Sequence, residues 1–217
     1  MDELNKLTRA SKDAIISLAA EFRFARELAD LLKKLKEEQG DVKQSIREVY
    51  KMFQVYKRLA RVENGTARKE ERMEKLLREL LDKLPAGGGE YPLIERMTRQ
   101  LSVADKHLRK LASYYTGNLG KELRGIEVDE KRLRSLSKKG NHLAEVESLR
   151  TRLALEIDQL TADFKDLIKW INSNLALVGI IQRWAKSLER KKKIVRKARS
   201  EGIPGPYHWW TSLVRKK

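Results

Sequence analysis

The 217-residue sequence has no cysteine, only 4 prolines and 12 glycines, and few aromatic residues, at 6%. The absence of cysteine excludes disulfide bonds, thiolate metal sites, iron–sulfur clusters and cysteine nucleophiles. The small number of prolines and glycines argues against a β sandwich, which needs many tight turns. The composition therefore favours a helical protein.

Long hydrophobic runs are also missing. The uncharged stretch at 170–182 has 13 residues, whereas a membrane-spanning helix needs about 20 predominantly apolar residues. The first residues, MDELNK, are acidic and amphipathic, and they lack the basic start and apolar stretch of a secretory signal. We therefore expect a cytoplasmic protein.

No segment of the sequence specifies a reaction. The histidines His107, His142 and His208 are far apart, and none has a second metal ligand at a suitable spacing. The sequence contains neither a Gly-x-Ser-x-Gly nucleophile motif nor a nucleotide-binding glycine-rich loop. We therefore predict a protein that is not an enzyme and that needs no cofactor or metal.

Apolar residues recur at alternating steps of three and four, the period of helices that pack along a long seam. The longest series starts at Leu153 and continues to Leu188, with Asn174 as its one polar member. This asparagine would either fix the register of the bundle or lie at a wet edge. We predict an all-α fold, an elongated, coiled-coil-like bundle of about five helices with a long C-terminal helix.

Capping residues and turn pairs set the predicted helix bounds. The predicted helices cover 3–39, 42–63, 67–84, 92–115 and 142–199, with a short helix at about 130–138. The helical bundle would occupy 1–185, and 186–217 would form a basic helix end followed by an aromatic tail.

Glycines mark the predicted breaks between helices. Asn64-Gly65 is interpreted as a turn, with Thr66 as the cap of the next helix. Three glycines between Thr116 and Gly125 predict an irregular connection. Gly179 leaves open whether the last helix is kinked or continuous.

The net charge of +17 at pH 7 is concentrated towards the C-terminus. Segment 186–217 carries eleven basic residues and two acidic ones, whereas 141–182 carries four basic and six acidic residues. Folding gives no reason for this crowding, because like charges one helical turn apart destabilise a helix by about 0.2–0.5 kcal/mol per pair. We therefore predict that the C-terminal end binds a polyanion.

Aromatic residues follow the basic segment, and rings of this kind stack on unpaired bases while cations bind phosphates. We predict a helical scaffold or adaptor that binds RNA or DNA, mainly through phosphates. The predicted contact residues are Lys186, Arg190, Lys191, Lys192, Lys193, Arg196, Lys197, Arg199, Tyr207, Trp209, Trp210, Arg215, Lys216 and Lys217.

Three other interpretations of the C-terminal half stay open. The same basic and aromatic end suits an anionic membrane surface, where tryptophan lies at headgroup depth. Alternatively, Pro204 and Pro206 would turn the tail back so that its tryptophans fill a gap in the bundle. In the third interpretation, an apolar seam pairs with a helical partner or with a second copy of the chain. Trp170 and Trp184 lie 14 residues apart on one helix face, and this placement fits burial or such a contact better than a membrane interface.

Overall fold

The computed structural model describes residues 2–37, 42–84, 89–114, 118, 120–140 and 142–201. These residues form five helices and no β strand: α1 (Asp2–Glu37), α2 (Val42–Leu81), α3 (Tyr91–Tyr114), α4 (Gly120–Lys139) and α5 (Leu143–Ser200). The predicted all-α fold is confirmed, and α5, with 58 residues, is the longest helix of the described chain.

The chain divides into two compact units, and α1, α2, α3 and α5 contribute segments to both. Unit 1 comprises the described parts of Met1–Ser17, Gly65–His107 and Ser173–Lys217, and unit 2 comprises those of Leu18–Asn64 and Leu108–Asn172. The domain boundary predicted after residue 185 falls inside α5 and inside unit 1.

Each unit has its own core of apolar residues at helical spacing. Burial of one such side chain contributes about 1.5–3 kcal/mol. In unit 1 the buried residues include Leu4, Leu7, Ala14, Met73, Leu77, Leu101, Val178 and Ile181, and in unit 2 Leu28, Leu32, Val49, Met52, Leu123, Ile126, Leu153, Ile157 and Phe164. Every residue of the predicted α5 seam from Leu153 to Leu188 is buried, Asn174 included.

Helix α2 runs through Asn64 and Gly65, where the sequence predicts a turn. The side-chain amide Nδ2 of Asn64 donates a hydrogen bond of 3.2 Å to the carbonyl oxygen of Ala60, one turn earlier. Glu63 and Thr66, on either side of the pair, are both buried. Packing of these turns outweighs the cost of a helical glycine, about 1 kcal/mol relative to alanine, so the predicted helices 42–63 and 67–84 are one helix and the predicted cap at Thr66 is wrong.

The start of α4 differs from the prediction, and the open question whether α5 is kinked or continuous is answered. Helix α4 begins at Gly120 and not near residue 130, because Leu123 and Ile126 are buried in unit 2 and stabilise the added turns. Gly120 allows close packing there, since a Cβ at this position would lie 3.3 Å from the hydroxyl oxygen of Tyr56. Helix α5 is continuous through Gly179.

Unit 2 buries acidic side chains as well as apolar ones. Burial raises the pKa of Glu63 to about 8, and the charge of the neighbouring Glu21, itself buried, adds to the effect. Burial also raises the pKa of Glu130 to about 7, although the hydroxyl of Ser45 opposes the shift by stabilising the carboxylate. The core of unit 2 therefore holds carboxyl groups that take up protons near neutral pH.

We expect Gly65→Ala to raise the free energy of unfolding by about 0.5–1 kcal/mol, because alanine loses less backbone entropy in a helix. No atom lies within 4 Å of an added Cβ at Gly65, so the methyl group would not clash. Urea denaturation followed by circular dichroism measures the change. Gly140→Ala is the control and should lower stability, because Gly140 has a φ of 69°. Loss of stability in Gly65→Ala would contradict a continuous α2.

Candidate functional site on helix α5

The C-terminal part of α5 is anchored in unit 1 by a row of buried residues. Val178, Ile181, Ala185, Leu188 and Lys192 recur at steps of three and four, and all of them are buried. Such steps keep side chains on one side of a helix. This buried row therefore determines which side of α5 faces solvent.

A row of cations with the same spacing lies on the opposite side of α5. Arg183, Lys186, Arg190, Lys193 and Lys197 are all exposed, and each follows a member of the buried row by five positions. Five positions correspond to a rotation of about 140° around the helix. These five residues are named the basic row; at a rise of about 1.5 Å per residue, its 14-residue span gives a length of ~21 Å.

The charge of the basic row is not neutralised within the described chain. Among the described residues, the first four cations have no carboxylate within the 4.0 Å of an ion pair. Lys197 lies 3.7 Å from Glu201, one turn further along the same helix; such exposed pairs contribute only about 0.3–0.5 kcal/mol. The row therefore presents uncompensated positive charge to solvent.

Glu189 lies at the border between the basic row and the buried row, one helical turn from both Lys186 and Lys193. Its side chain is half-buried, and its carboxylate oxygen Oε1 accepts a hydrogen bond of 3.0 Å from the hydroxyl of Thr8 on α1. Glu189 therefore joins α1 to α5 and is the one acidic side chain of α5 that lies beside the first four cations of the row.

The helix dipole explains only the end of the row. The partial negative charge at a helix C-terminus stabilises cations in the last turn, which applies to Lys197 and, one residue earlier, Arg196. Arg183, Lys186 and Arg190 lie too far from Ser200, where α5 ends, to gain from it. Their positions have no explanation in helix stability.

The other predicted contacts on α5 lie on different sides of the helix. Lys191 is exposed, and the helix period places it with Ile180 and Ile194, outside the basic row. Arg196 is exposed and lies one turn after Lys192, on the side of the buried row.

Lys192 is the one predicted contact on α5 that the structure corrects. Only 6% of it is exposed. Burial, and then the neighbouring Arg196, lower the pKa of its ammonium group, while Glu3 opposes that shift. Because the seam of α5 continues at Lys192, this side chain packs inside unit 1 and is not a surface contact.

The remaining predicted contacts lie outside the described residues or, for Arg199, outside the described side chains. The predicted interface residues of the tail are Tyr207, Trp209, Trp210, Arg215, Lys216 and Lys217. Pro204 and Pro206, from which a folded-back tail is predicted, also belong to this part of the chain.

The start of α1 interacts with α5 and with the residues that follow α2. Glu3 accepts a hydrogen bond from the ammonium group of Lys83, and this interaction lowers the pKa of Glu3 to about 2. The charge of Glu3 also acts on Lys192. The hydrogen bond between Thr8 and Glu189 joins α1 to α5 directly, in the part of α5 that lies between Lys186 and Arg190.

Asn174 and the two tryptophans of α5 are buried to different degrees. Trp184 is half-buried, and its indole nitrogen Nε1 donates a hydrogen bond of 3.1 Å to Glu90. Trp170, in unit 2, is also half-buried. Asn174 is buried in unit 1, and its amide nitrogen Nδ2 has no hydrogen-bond partner among the described residues.

Sequence reasoning missed Arg183 as a member of the site. Arg183 is absent from the predicted contacts, although it precedes Lys186 by three residues and so continues the spacing of the row. Extending the spacing of the basic row by one step before Lys186 identifies Arg183 from the sequence.

Among the helices of the described chain, none has a segment long and apolar enough to cross a membrane. Likewise, no cluster of three or more histidine, aspartate or glutamate side chains in this part of the chain is placed to hold a metal ion. No protein-family model, curated protein or solved structure matches the sequence, so the site is defined by the charge, exposure and helix geometry of its own residues.

Proposed function

We propose that this protein is a non-enzymatic helical scaffold that binds nucleic acid through its phosphates, with the basic row of α5 as the contact surface. The observation that carries the proposal is a row of five exposed cations, four of them without a carboxylate partner in the described chain. Each phosphate that such a cation neutralises releases condensed counterions, which favours binding.

The length of the basic row favours a polymeric anion over a small one. A single phosphate or carboxylate group would contact one or two of the cations and leave the others repelling each other. A nucleic acid duplex carries one negative charge per ~1.7 Å of its axis, and therefore offers enough phosphates to a surface about 21 Å long. The whole row would then be neutralised at once.

The exposed apolar residues of α5 favour a membrane surface less than nucleic acid. Ile180 and Ile194 are 48% and 67% exposed and lie beside the basic row. An interfacial helix needs a continuous apolar face, but Ser187 and Lys191 lie between the two isoleucines on that side of α5. Two separate isoleucines do not provide such a face.

We expect binding to a fluorescein-labelled 20-base-pair duplex to fall steeply with salt. If four or five cations each neutralise a phosphate, the slope of log K against log salt concentration is about −4, since each contact contributes ~0.9. Fluorescence anisotropy between 50 and 200 mM NaCl measures it. A slope near zero would exclude phosphate-directed binding, and tighter binding to anionic vesicles than to the duplex would contradict nucleic acid as the preferred partner.

A further inference from the structure

We infer that the basic row selects double-stranded over single-stranded nucleic acid. The inference rests on the proposed function and adds the class of nucleic acid that the row recognises. Two features of unit 1 carry it: the anchored placement of the cations from Arg183 to Arg190 and the absence of an aromatic platform between the cations in the described residues.

The first three cations of the basic row are held at fixed positions. From Arg183 to Arg190 they lie on a stretch of α5 that is anchored by buried residues as far as Lys192 and joined to α1 through Glu189. A straight, rigid row is best matched by phosphates that are already ordered. A duplex supplies them, because it stays straight over ~150 base pairs, whereas a flexible single strand must lose conformational freedom to follow the row.

Counterion release also favours the duplex. Each contact releases about 0.9 of a counterion from double-stranded DNA but only ~0.7 from a single strand. The difference between the numbers of counterions released by the two forms grows with each cation of the row that contacts a phosphate. Five cations acting together therefore discriminate more strongly between the two forms than one cation does.

The described part of unit 1 offers no aromatic surface beside the basic row. Single strands are typically held by aromatic side chains on which their bases stack. The tryptophan and tyrosine of this part of the chain are Trp184 and Tyr91, both half-buried. Trp184 is bonded to Glu90 and lies about 100° around α5 from Arg183, and Tyr91 lies in a groove with Arg78 and Thr98 of α2 and α3.

The neighbours of the row also suit a phosphate backbone. Gly179, one turn before Arg183, adds no side chain on this side, and Ala176 is exposed and uncharged. On the described surface next to the row, the acid before Glu201 is the half-buried Glu189, which is bonded to Thr8, and no aromatic ring lies among the cations. A footprint of about 21 Å covers roughly six base pairs at 3.4 Å each.

The test compares a 20-base-pair duplex with an unstructured 20-nucleotide strand, using the full chain at 100 mM NaCl and anisotropy as the readout. We expect the duplex to bind at least tenfold more tightly. The variant R183Q/K186Q/R190Q should reduce duplex binding at least tenfold. The charge-retaining variant R183K/K186R/R190K should keep it within about threefold, and circular dichroism verifies that both variants are folded.

The possible outcomes separate the inference from the proposed function. Equal or tighter binding of the single strand, especially if W209A/W210A abolishes it, would overturn the selection of duplexes while nucleic-acid binding stands. Failure of both nucleic acids to bind would overturn the proposed function as well. Duplex selection that R183Q/K186Q/R190Q leaves unchanged would show that the basic row is not the surface responsible.

Discussion

Replacing Lys186, Arg190, Lys193 and Lys197 together by glutamine is expected to weaken binding to a 20-base-pair duplex by about 100-fold or more at 100 mM salt. Loss of four phosphate contacts also lowers the salt slope, by ~0.9 for each contact. These side chains are exposed and do not pack in the core, so the stability of the protein should change little. Anisotropy titrations at several salt concentrations measure both effects.

A matched control separates a local site from the effect of net charge. The variant K57Q/R58Q/R61Q/K165Q also lowers the formal charge from +17 to +13, but at exposed positions of unit 2. We expect these four positions to have no local role in binding, so the affinity of the control for the duplex should fall by less than about threefold. Equal losses in the two variants would mean that binding follows overall charge, and the basic row would then not be a site.

The second large effect concerns pH: the stability of unit 2 should rise as pH is lowered from 8.5 to 5. The pKa of Glu63 is about 8 in the folded protein and 4.5 in the reference state. Between these values the folded chain holds a proton that the unfolded chain releases. The stabilisation is therefore complete below pH 4.5 and is lost as pH rises to 8, with a total change on the order of 4 kcal/mol.

Glu130 should act in the same direction over a narrower window, from pH 4.5 to about 7. Glu3, in unit 1, acts in the opposite direction, because its folded pKa of about 2 lies below the reference value of 4.5. The stability that Glu3 contributes is present above pH 4.5 and is lost on acidification towards pH 2. The two effects therefore occupy separate pH windows and separate units.

Substitution of Glu63 by glutamine tests the assigned cause. The neutral amide should raise stability at pH 8.5 by a few kcal/mol and flatten most of the pH dependence. Hydrogen exchange resolved by helix, at pH 5 and 8.5 after correction for intrinsic rates, locates the effect in unit 2. Glu147→Gln, at an exposed position of α5, is the control and should change nothing. Stability that is constant or increases from pH 5 to 8.5 in the unsubstituted protein would contradict burial of an ionisable carboxyl group at residue 63.

Helix period predicted most of the architecture. The steps of three and four from Leu153 to Leu188 indicate one long seam, and all of these residues are buried. Extension of the same period by one step reaches Lys192 in the buried row, and one step back from Lys186 reaches Arg183 in the basic row. The helix period therefore determines both placements, and a lysine at position 192 is buried although lysine is typically exposed.

Local turn chemistry predicted the helix ends less well. Asn64-Gly65 is a strong turn pair in isolation, yet the buried residues on both sides keep it helical. The glycines at 120 and 125 likewise lie within α4, because Leu123 and Ile126 pack in the core. The pKa shifts of Glu63 and Glu130 follow from burial between helices, which a single sequence does not specify.

Helix α5 continues for two turns beyond Lys192, and none of its described side chains there is buried. Tertiary packing of the side chains described there is limited to the half-buried Val195, and repulsion between Lys193 and Lys197 opposes these turns. The helix end should therefore fray in the free protein, and its amide protons should exchange quickly. Bound phosphates would remove the repulsion and so slow amide proton exchange at residues 193–200. Slower exchange at these residues would therefore report that the basic row is occupied, without any label on the ligand.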